Sequence, residues 1–476
     1  MRARHPLARI PVDDLIPRFT EIRHDAGVEV GRSAAVLAEV VEREDDPDHI
    51  VGVRVDLTDV PFVTIDPAGS RDLDQAIHLE RAGDGWRVRY AIADVAAHIV
   101  PGGAQDEDAW SRVETVYCPD MRVGLHPPSM AEGFASLLPL QRTKAVVWDL
   151  LVAADGRLTS THVNRAWVTS VRQYSYDELA SSPPSEAAEL VALMGELGAV
   201  RRRVLREAGA VSLPKPSQEV TRDEDGLHLE FRAARAIEDD NAQVSLLTGM
   251  AAARIMLDAG IGVLRTMPAA SDAAVERLRR QALALGVDWP TGASYADVLD
   301  TVDASSAQGA AFLAAAVSLF RGASWEAFDL VKGLSLPDVT THGALAAPYA
   351  HVTAPLRRLV DRYGTEICLA HQQGERPPHW VTAALPRLGV AMVTGVRKGA
   401  QVDRACIDAL EAAVLAPHVG EDFEAVGIDE DTIQLSQPAV VARCTGDVPV
   451  GERLSVKLVQ ADVREGVRFA FLATLV

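Results

Sequence analysis

Three carboxylates stand close together early in the chain, within residues 62–76. An apolar run ends at Asp66, and a loop containing a proline and a glycine leads on to Asp72 and Asp74. Packed together without a cation, these acids would repel one another, whereas a bound divalent ion would make them ligands. Such hard oxygen ligands suit Mg²⁺, whose coordination is usually completed by substrate phosphate. The spacing therefore indicates a magnesium site, with a solvated acidic turn as the alternative.

Two neighbouring arginines, Arg357 and Arg358, follow Pro355 far downstream. We expect the proline to end an extended segment and to open a helix, where unpaired backbone N–H groups favour an anion. Guanidinium groups at that position add fork-shaped donors that match phosphate oxygens. The pair therefore indicates a phosphate contact, and the alternative is the salt-bridged start of a surface helix.

The composition is that of a globular chain with a strongly acidic balance. Of the 476 residues, 48% are apolar, which allows a large core and two or three domains. The net charge of −20 opposes binding of a polyanion, although one narrow basic channel can hold a nucleic acid inside an acidic envelope. The cysteines show no CxxC pairing, so we interpret all of them as buried apolar residues rather than zinc ligands or disulfides. They are Cys118, Cys368, Cys406 and Cys444.

The chain carries no apparent signal for secretion or for the membrane. Its N-terminal segment is basic but lacks an apolar core and a small-residue cleavage site. No run approaches the roughly 20 consecutive apolar residues that a membrane span needs. A cytoplasmic location is therefore expected.

The acidic and basic segments together resemble the signatures of the ribonuclease II, or RNB, family. Residues 64–76 resemble the family's TIDxxxxxDxDDA-like stretch, and residues 348–361 resemble its YAHFTSPIRRYPD block. Residues 89–102 are similar to HIADVSHYVxPG, and residues 114–120 are similar to TSVYLPD. The matches cover roughly residues 56–362 in the family's order, and this order carries more weight than any single motif.

The resemblance implies a role for each matched residue of the two signatures. Asp66, Asp72 and Asp74 fall on the family's acids that surround Mg²⁺ at the scissile phosphate, with Asp72 and Asp74 also taking part in catalysis. Arg357 falls on the arginine that stabilises charge at the reacting phosphate. Arg358 is implied to be a phosphate contact or a structural ion-pair partner.

Further residues are predicted to bind the substrate. The resemblance makes Tyr117 the aromatic residue that stacks on a base near the 3′ end, and a core tyrosine is the alternative. His351, in the late block, is predicted to contact the substrate. Gln75 and Gln243 are departures, because the family has an aspartate and a glutamate there. The Gln75 amide can still coordinate Mg²⁺ but brings no charge, and Gln243 can still hydrogen-bond a ribose 2′-hydroxyl.

Periodicity predicts an α+β fold. Runs of β-type residues after position 51 predict a mixed sheet with surrounding helices, which the resemblance makes an RNB catalytic domain over residues 49–415. Helical spacing marks residues 404–415 as the last helix of that domain, ending before Pro417. Strict alternation predicts a small OB-type barrel over residues 416–476 that binds RNA, and the alternative is an end-capping β-domain without a ligand.

The first 48 residues show helix-like apolar spacing and predict a small helical appendage. A helix-turn-helix-like arrangement is one option for this region. It is too short for the pair of cold-shock barrels that larger family members carry before the catalytic domain.

The resemblance implies a Mg²⁺-dependent exoribonuclease that hydrolyses single-stranded RNA from the 3′ end to nucleoside 5′-monophosphates. Its partner is then the 3′ end of RNA, and no protein partner is predicted. One alternative is an RNB-fold RNA-binding protein that is catalytically weakened by Gln75 and Gln243. Another is a metal hydrolase acting on small phosphate esters, which the acidic loop alone would permit.

Overall fold

A computed structural model describes residues 9–45, 53–224 and 226–475 of the chain. The expected boundary between the N-terminal region and the catalytic domain, at residues 48 and 49, lies outside the described residues. So do the first eight residues of the basic N-terminal segment.

Helices surround the strands throughout the described part of the chain. They are α1 (Val12–Asp25), α2 (Ala34–Asp45), α3 (Ala104–Arg112), α4 (Tyr176–Ser181), α5 (Ala188–Glu207), α6 (Ala236–Ala259), α7 (Asp272–Leu285), α8 (Tyr295–Thr301), α9 (Ala307–Ala316), α10 (Leu359–Gln372) and α11 (His379–Leu415).

The strands form two closed barrels and three two-stranded sheets. They are β1 (Val55–Asp66), β2 (Gln75–Ala82), β3 (Gly85–Ala93), β4 (Val116–Tyr117), β5 (Arg122–Val123), β6 (Arg142–Val152), β7 (Leu158–Ser175), β8 (Ser217–Asp223), β9 (Gly226–Arg232), β10 (Ile261–Thr266), β11 (Ser324–Asp329), β12 (Asp422–Asp429), β13 (Thr432–Leu435), β14 (Val440–Thr445), β15 (Arg453–Asp462) and β16 (Gly466–Thr474).

The central barrel is built from β1, β2, β3, β6 and β7. Large side chains such as Trp148 and Tyr90 are almost wholly buried in the core around it. β1 and β7 run parallel, and their register pairs Asp66 with Ser175 where both strands end. Pro67 follows and cannot donate a hydrogen bond to the sheet, so the chain leaves the barrel directly after Asp66. The loop between β1 and β2 therefore stands at one end of the barrel.

The segment before α10 differs from the prediction. Pro355 was expected to open the helix, but α10 begins only at Leu359. The backbone N–H of Thr115 donates to the carbonyl of Arg357 (3.0 Å), and the N–H of Leu359 donates to the carbonyl of Val113 (2.9 Å). These bonds hold residues 357–359 beside residues 113–115, directly after a turn in which the N–H groups of Arg357 and Arg358 donate to the carbonyl of Ala354 (3.2 and 3.0 Å). Arg357 consequently lies before the helix and not on its first turn.

The C-terminal barrel is formed by β12, β13, β14, β16 and β15 in closed order. The alternating residues Leu454, Val456 and Leu458 are all fully buried inside it, as the pattern predicted. α11 leads into this barrel and is much longer than the predicted segment 404–415, because it continues through Pro386. It ends at Leu415, before the proline that was expected to stop it. The α+β class with a C-terminal barrel is thus confirmed.

The N-terminal helices pack on different parts of the molecule, and the predicted helical region is confirmed. α1 buries Leu15, Phe19 and Ile22 in the apolar cluster that α11 shares with the C-terminal barrel. α2 packs on α3, with Val40 buried. Their connection, residues 26–33, is longer than the three- or four-residue turn of a helix-turn-helix motif.

The prediction that all four cysteines are buried is wrong for Cys118. Cys368, Cys406 and Cys444 are buried as expected, but Cys118 is only half-buried. All four are free thiols.

Across the described ranges, no helix combines the length and the apolar character that crossing a membrane requires.

Glu411 connects α11 to the C-terminal barrel and is almost wholly buried. Its Oε1 accepts hydrogen bonds from Gln218 Nε2 (2.7 Å) and from the backbone N–H of Val441 (3.1 Å). Burial raises the pKa of this carboxyl from 4.5 to about 7. Because the folded-state pKa is the higher one, the proton-linked stability is full below 4.5 and is lost as the pH rises through about 7.

We expect Glu411→Gln to keep an acceptor oxygen and to remove this titration. Urea unfolding at about pH 5 and about pH 8 should show a smaller loss of unfolding free energy in the variant than in the wild type. Glu411→Ala, the control, leaves a buried N–H without its acceptor and should cost about 1–3 kcal/mol, with the larger loss at the lower pH, where the wild type keeps its proton-linked stability. An unchanged pH dependence in Glu411→Gln would contradict the assignment.

Candidate active site

The acidic loop between β1 and β2 is anchored by its one large apolar residue. Leu73 is completely buried, and its backbone N–H donates to Ser136 Oγ (2.9 Å) while its carbonyl accepts from the N–H of Leu137 (3.0 Å). With the loop fixed at this point, Asp72 and Asp74 on either side of it are fixed as well. Asp72 stays half-buried, whereas Asp74 is buried.

Asp74 joins the acidic loop to the late basic block. Its Oδ1 accepts a 2.7 Å hydrogen bond from the backbone N–H of Leu356, and its Oδ2 lies 3.4 Å from Arg357 Nε. Burial raises the pKa of Asp74 to about 8, although the Arg357 charge and the Leu356 bond both act to lower it. The contact therefore holds a costly buried carboxyl in place from two sides.

Gln75 makes a second connection to the same block. Its side-chain amide Nε2 donates to the backbone carbonyl of Thr353. The amide at this departure from the family pattern thus ties the start of β2 to the chain just before Arg357.

Asp66 and Asp72 act on each other across the loop. Burial raises the pKa of Asp66 to about 7, and the charge of Asp72 adds to this shift. Asp72 Oδ1 in turn lies 2.5 Å from Arg122 Nη1, and the other end of that guanidinium lies 2.8 Å from Glu132. Arg122 is therefore a counter-charge to the acidic loop that sequence reasoning did not identify.

Tyr117 and Arg122 are cross-strand partners in the β4–β5 hairpin. Tyr117 is 48% exposed, so it is not a core tyrosine. The charges of Arg357 and Asp72 both act on its hydroxyl. The hairpin thus brings an exposed aromatic ring to the meeting point of the acidic loop and the late block.

The two late arginines have different surroundings. The Arg357 side chain is 47% exposed, so its guanidinium reaches solvent beside the acids. Arg358 instead forms a double contact with Asp361, with Nε at 3.0 Å and Nη2 at 2.7 Å from the carboxylate oxygens. Asp361 is wholly buried and also accepts from the backbone N–H of Ala354 (2.7 Å). This geometry favours the structural ion-pair role for Arg358.

His351 lies in an aromatic cluster, with ring centroids 5.7 Å from Trp325 and 5.4 Å from Tyr349. Burial, assisted by the charges of Arg358 and Arg265, holds its pKa well below the ordinary range, so the ring is neutral. A neutral imidazole contributes no charge to a phosphate contact.

Gln243 lies on α6 and is 9% exposed, with its Oε1 buried and without a hydrogen-bond partner in the structure. Two residues earlier, Asn241 Nδ2 donates to the Tyr176 hydroxyl (2.9 Å). Tyr176 directly follows Ser175, the register partner of Asp66. Asn241 and Tyr176 were not assigned from the sequence. The register of β1 and β7 places Tyr176 next to the end of β1, and the Asn241 hydrogen bond joins α6 to it.

The carboxylates of the acidic loop offer the oxygen ligands that Mg²⁺ prefers, but their arrangement is incomplete. In residues 9–45, 53–224 and 226–475, no group of three or more His, Cys, Asp or Glu side chains is arranged to hold a metal ion. Asp72 is turned to Arg122, and Asp74 is held by the late block. The pKa values of Asp66 and Asp74 are nevertheless raised, chiefly by burial and at Asp66 also by the charge of Asp72, and a divalent cation would offset the cost of ionising these buried acids. The oxygen donors therefore suit Mg²⁺ chemically, although the described residues do not arrange them as a complete set of ligands.

Comparison with known families decides the affiliation. Residues 54–369, more than half of the chain, match the RNB domain. The chain belongs to the RNB domain family. Residues 421–471 match the RNase II-type exonuclease C-terminal S1 domain, which agrees with the barrel of β12 to β16.

Individual relatives of this RNB protein share its sequence at a modest level. Ribonuclease R of Escherichia coli (strain K12) is 26% identical over 426 residues, covering 81% of this chain and 49% of the relative. The chain thus spans about half the length of the curated relatives it matches.

Solved structures share the fold. Mycoplasma genitalium RNase R, in complex with ribose methylated single-stranded RNA, matches with a TM-score of 0.85 at 18% identity and covers 97% of this chain and 78% of its own. Yeast Ssd1, a pseudonuclease, matches with a TM-score of 0.66 at 16% identity, covering 87% and 53%. Because a pseudonuclease has this fold too, the fold alone does not determine activity.

The Gln75 contact leads to a prediction. Gln75→Glu keeps the length of the side chain but sets a carboxylate against the Thr353 carbonyl, so we expect the unfolding free energy to fall by about 1–3 kcal/mol. Urea unfolding at neutral pH without Mg²⁺ measures it. Gln75→Met, the control, loses the hydrogen bond without adding charge and should be affected less. Equal stability of Gln75→Glu and wild type would mean that the contact contributes nothing.

Proposed function

We propose that this RNB protein is an exoribonuclease that hydrolyses RNA from the 3′ end and releases nucleoside 5′-monophosphates in the presence of Mg²⁺. The observation that carries the proposal is the 3.4 Å approach of Asp74 to Arg357, beside the exposed ring of Tyr117. Acids for a metal, a guanidinium for phosphate charge and a platform for a base thus occupy one site. We propose a cytoplasmic location, where such RNA is found.

The proposed substrate is single-stranded RNA with a free 3′ end. Stacking of a terminal base on an aromatic ring contributes about 1–3 kcal/mol, and Tyr117 is the exposed ring at the site. The similarity to structures of Mycoplasma genitalium RNase R in complex with single-stranded and with double-stranded RNA supports an RNA substrate. Gln243, with a buried amide oxygen lacking a partner, is proposed to accept from a ribose 2′-hydroxyl.

Asp66 and Asp72 would hold Mg²⁺, with Asp74 completing the acidic set. When bound, the ion supplies neutralising charge for the phosphate and lowers the pKa of a coordinated water. The charge of the ion would offset both the burial that raises the pKa of Asp66 and the smaller contribution from the charge of Asp72.

The chain's own side chains account for binding and for charge stabilisation. Tyr117 holds the last base, which fixes where the chain end stops. Arg357 is anchored through Nε at Asp74, so the rest of its half-exposed guanidinium is free to meet the charge that grows on the phosphate oxygens. Asp74 therefore serves as an acid of the metal set and also orients Arg357. Arg358 keeps the turn in shape through Asp361.

A non-catalytic RNA-binding protein is the second candidate. The observations that favour it are the pairing of Asp72 with Arg122 and of Gln75 with a backbone carbonyl, which turn two side chains of the loop away from a metal.

One assay separates the candidates. Purified protein is incubated with Mg²⁺ and single-stranded RNA that carries a label on its 3′-terminal nucleotide. The enzyme releases a labelled mononucleotide before shorter products accumulate, whereas the binding protein shifts the RNA in a gel without release.

Asp74→Asn should abolish release while the gel shift survives, because the acid serves chemistry and the orientation of Arg357 more than affinity. Undiminished turnover in this variant would refute the role.

Arg357→Ala tests the charge-stabilising group. Loss of a preorganised donor at a developing negative charge costs about 10²–10³ in rate, so we expect kcat to fall by that factor while RNA affinity changes little. Single-turnover digestion and filter binding measure the two. Arg71→Ala is the control, because Arg71 is an exposed arginine of the acidic loop whose guanidinium donates to the backbone carbonyl of Glu132 (3.3 Å). A variant that loses affinity alone would make Arg357 a phosphate clamp.

A further inference from the structure

The N-terminal arm, defined as residues 9–45, contacts the β4–β5 hairpin that carries Tyr117. Arg23, on α1, places Nη1 2.7 Å from Asp120 Oδ1. The two side chains are only 5% and 7% exposed. Asp120 lies in the turn of the hairpin, between Tyr117 and Arg122. A nearly fully buried ion pair thus links the arm to the turn that connects Tyr117 to Arg122.

The same turn is held from a second direction. Cys118 packs against the apolar cluster that contains Cys406 of α11, and α11 also contacts β4. Within the turn, the backbone N–H of Cys118 donates to the carbonyl of Met121 (2.9 Å). α1 and α11 therefore enclose the turn between them.

The arm also fastens the far end of the hairpin. Arg32 Nη2 donates to the carbonyl of Gly124 (2.6 Å), directly after β5, while its Nη1 pairs with Asp108 on α3. Arg112 of α3 donates back to the carbonyls of Glu29 (2.7 Å) and Gly31 (2.6 Å) in the arm. The arm therefore contacts the hairpin at two places: α1 contacts its turn, and the connection between α1 and α2 contacts the residue after β5.

The hairpin needs outside support because it is very short. β4 and β5 pair over two positions, Val116 with Val123 and Tyr117 with Arg122. So small a ribbon has marginal stability of its own. Removing one partner of a buried ion pair leaves an uncompensated charge, which is strongly unfavourable, so the Arg23–Asp120 contact restricts where the hairpin can stand.

We propose that Arg23 is a positioning residue for the active site, acting through Asp120 to fix the hairpin that presents Tyr117 to the terminal base and Arg122 to Asp72. The proposal rests on the proposed function for the role of Tyr117. It makes the N-terminal arm part of the substrate-binding apparatus. A purely structural role for α1 would stabilise the fold without changing how Tyr117 meets a base.

The matched control lies on the same helix. Arg18 donates from Nε to the carbonyl of Val463 (3.0 Å) and pairs with Glu21 (3.2 Å), so it joins α1 to the C-terminal barrel and does not touch the hairpin. Arg23→Gln and Arg18→Ala therefore each remove the contacts of one α1 arginine, but only the first removes a contact to the hairpin. Asp120→Asn is a milder second variant that keeps the size of the side chain, and Arg23→Lys retains the charge as a rescue.

The binding test uses an RNA with 2-aminopurine at its 3′ end, bound in EDTA so that no hydrolysis occurs. Stacking on Tyr117 quenches the fluorescence in the wild type. We expect Tyr117→Ala, Arg23→Gln and, more weakly, Asp120→Asn to relieve the quenching, whereas Arg18→Ala and Arg23→Lys keep it. The double variant Arg23→Gln/Tyr117→Ala should behave like Tyr117→Ala alone. In turnover, KM should rise at least about 5-fold in Arg23→Gln, the lower end of a lost stacking contact, with kcat less affected.

Hydrogen exchange of the free protein tests the clamp without RNA. Amides of residues 116–123 should exchange faster in Arg23→Gln than in Arg18→Ala, measured below the melting temperature of both. Equal exchange in the two variants, or quenching in Arg23→Gln equal to that in Arg18→Ala, overturns the proposal. If the wild type neither quenches nor digests the RNA, the proposed function fails and the positioning role fails with it, while faster exchange would still establish the clamp as a structural contact.

Discussion

The contact between Asp74 and the backbone and side chain of residues 356 and 357 holds the candidate site together. It joins segments that are 282 residues apart in sequence, one carrying acids and the other carrying arginines. Each segment alone is electrostatically unfavourable, since like charges repel within it. Together they offset each other, and the buried carboxyl receives a hydrogen bond from Leu356 in place of water. The neighbouring bond from Gln75 to Thr353 holds the same two segments one position further on.

The site is graded from a rigid interior to an exposed rim. Asp74 is 4% exposed, whereas Arg357, anchored to it, is about half exposed. A guanidinium fixed at Nε and open at its other nitrogens can bind an oxyanion without first being ordered, and such preorganisation is what makes charge stabilisation effective. The buried acids behave differently. Burial makes the charged forms of Asp66 and Asp74 unfavourable and so raises their pKa values, and either protonation or a bound cation relieves this cost.

The sequence could predict much of this arrangement, because its signals are local. The end of β1 at Asp66, the alternation around Leu454 and the position of Arg357 in the late block all follow from short patterns. Contacts between distant segments left no such pattern, and for this reason Arg122 and the Arg23–Asp120 pair were found only in the structure. The helix start at Pro355 was mispredicted for the same reason.

Tertiary bonds also explain the other errors. Backbone bonds from Thr115 and to Val113 outweighed the helix preference of the residues after Pro355. α11 runs through Pro386 because packing along a long helix offsets one missing N–H. Cys118 is half-buried because it lies in the short turn between β4 and β5, and composition and spacing do not reveal this turn.

The net charge of −20 and an RNA substrate are compatible once the arginines of the site are considered individually. Arg122 and Arg357 are each engaged by an acid of the loop, which allows the acids to fold side by side. Any cation that binds the acids takes over this neutralising role, and the arginines then have charge to offer to a phosphate. Long-range repulsion from the acidic surface is screened within about 8 Å at physiological ionic strength, whereas contacts at the site act at hydrogen-bond distance. Affinity for a polyanion is therefore determined by the few cations at the site and much less by the total charge of the chain.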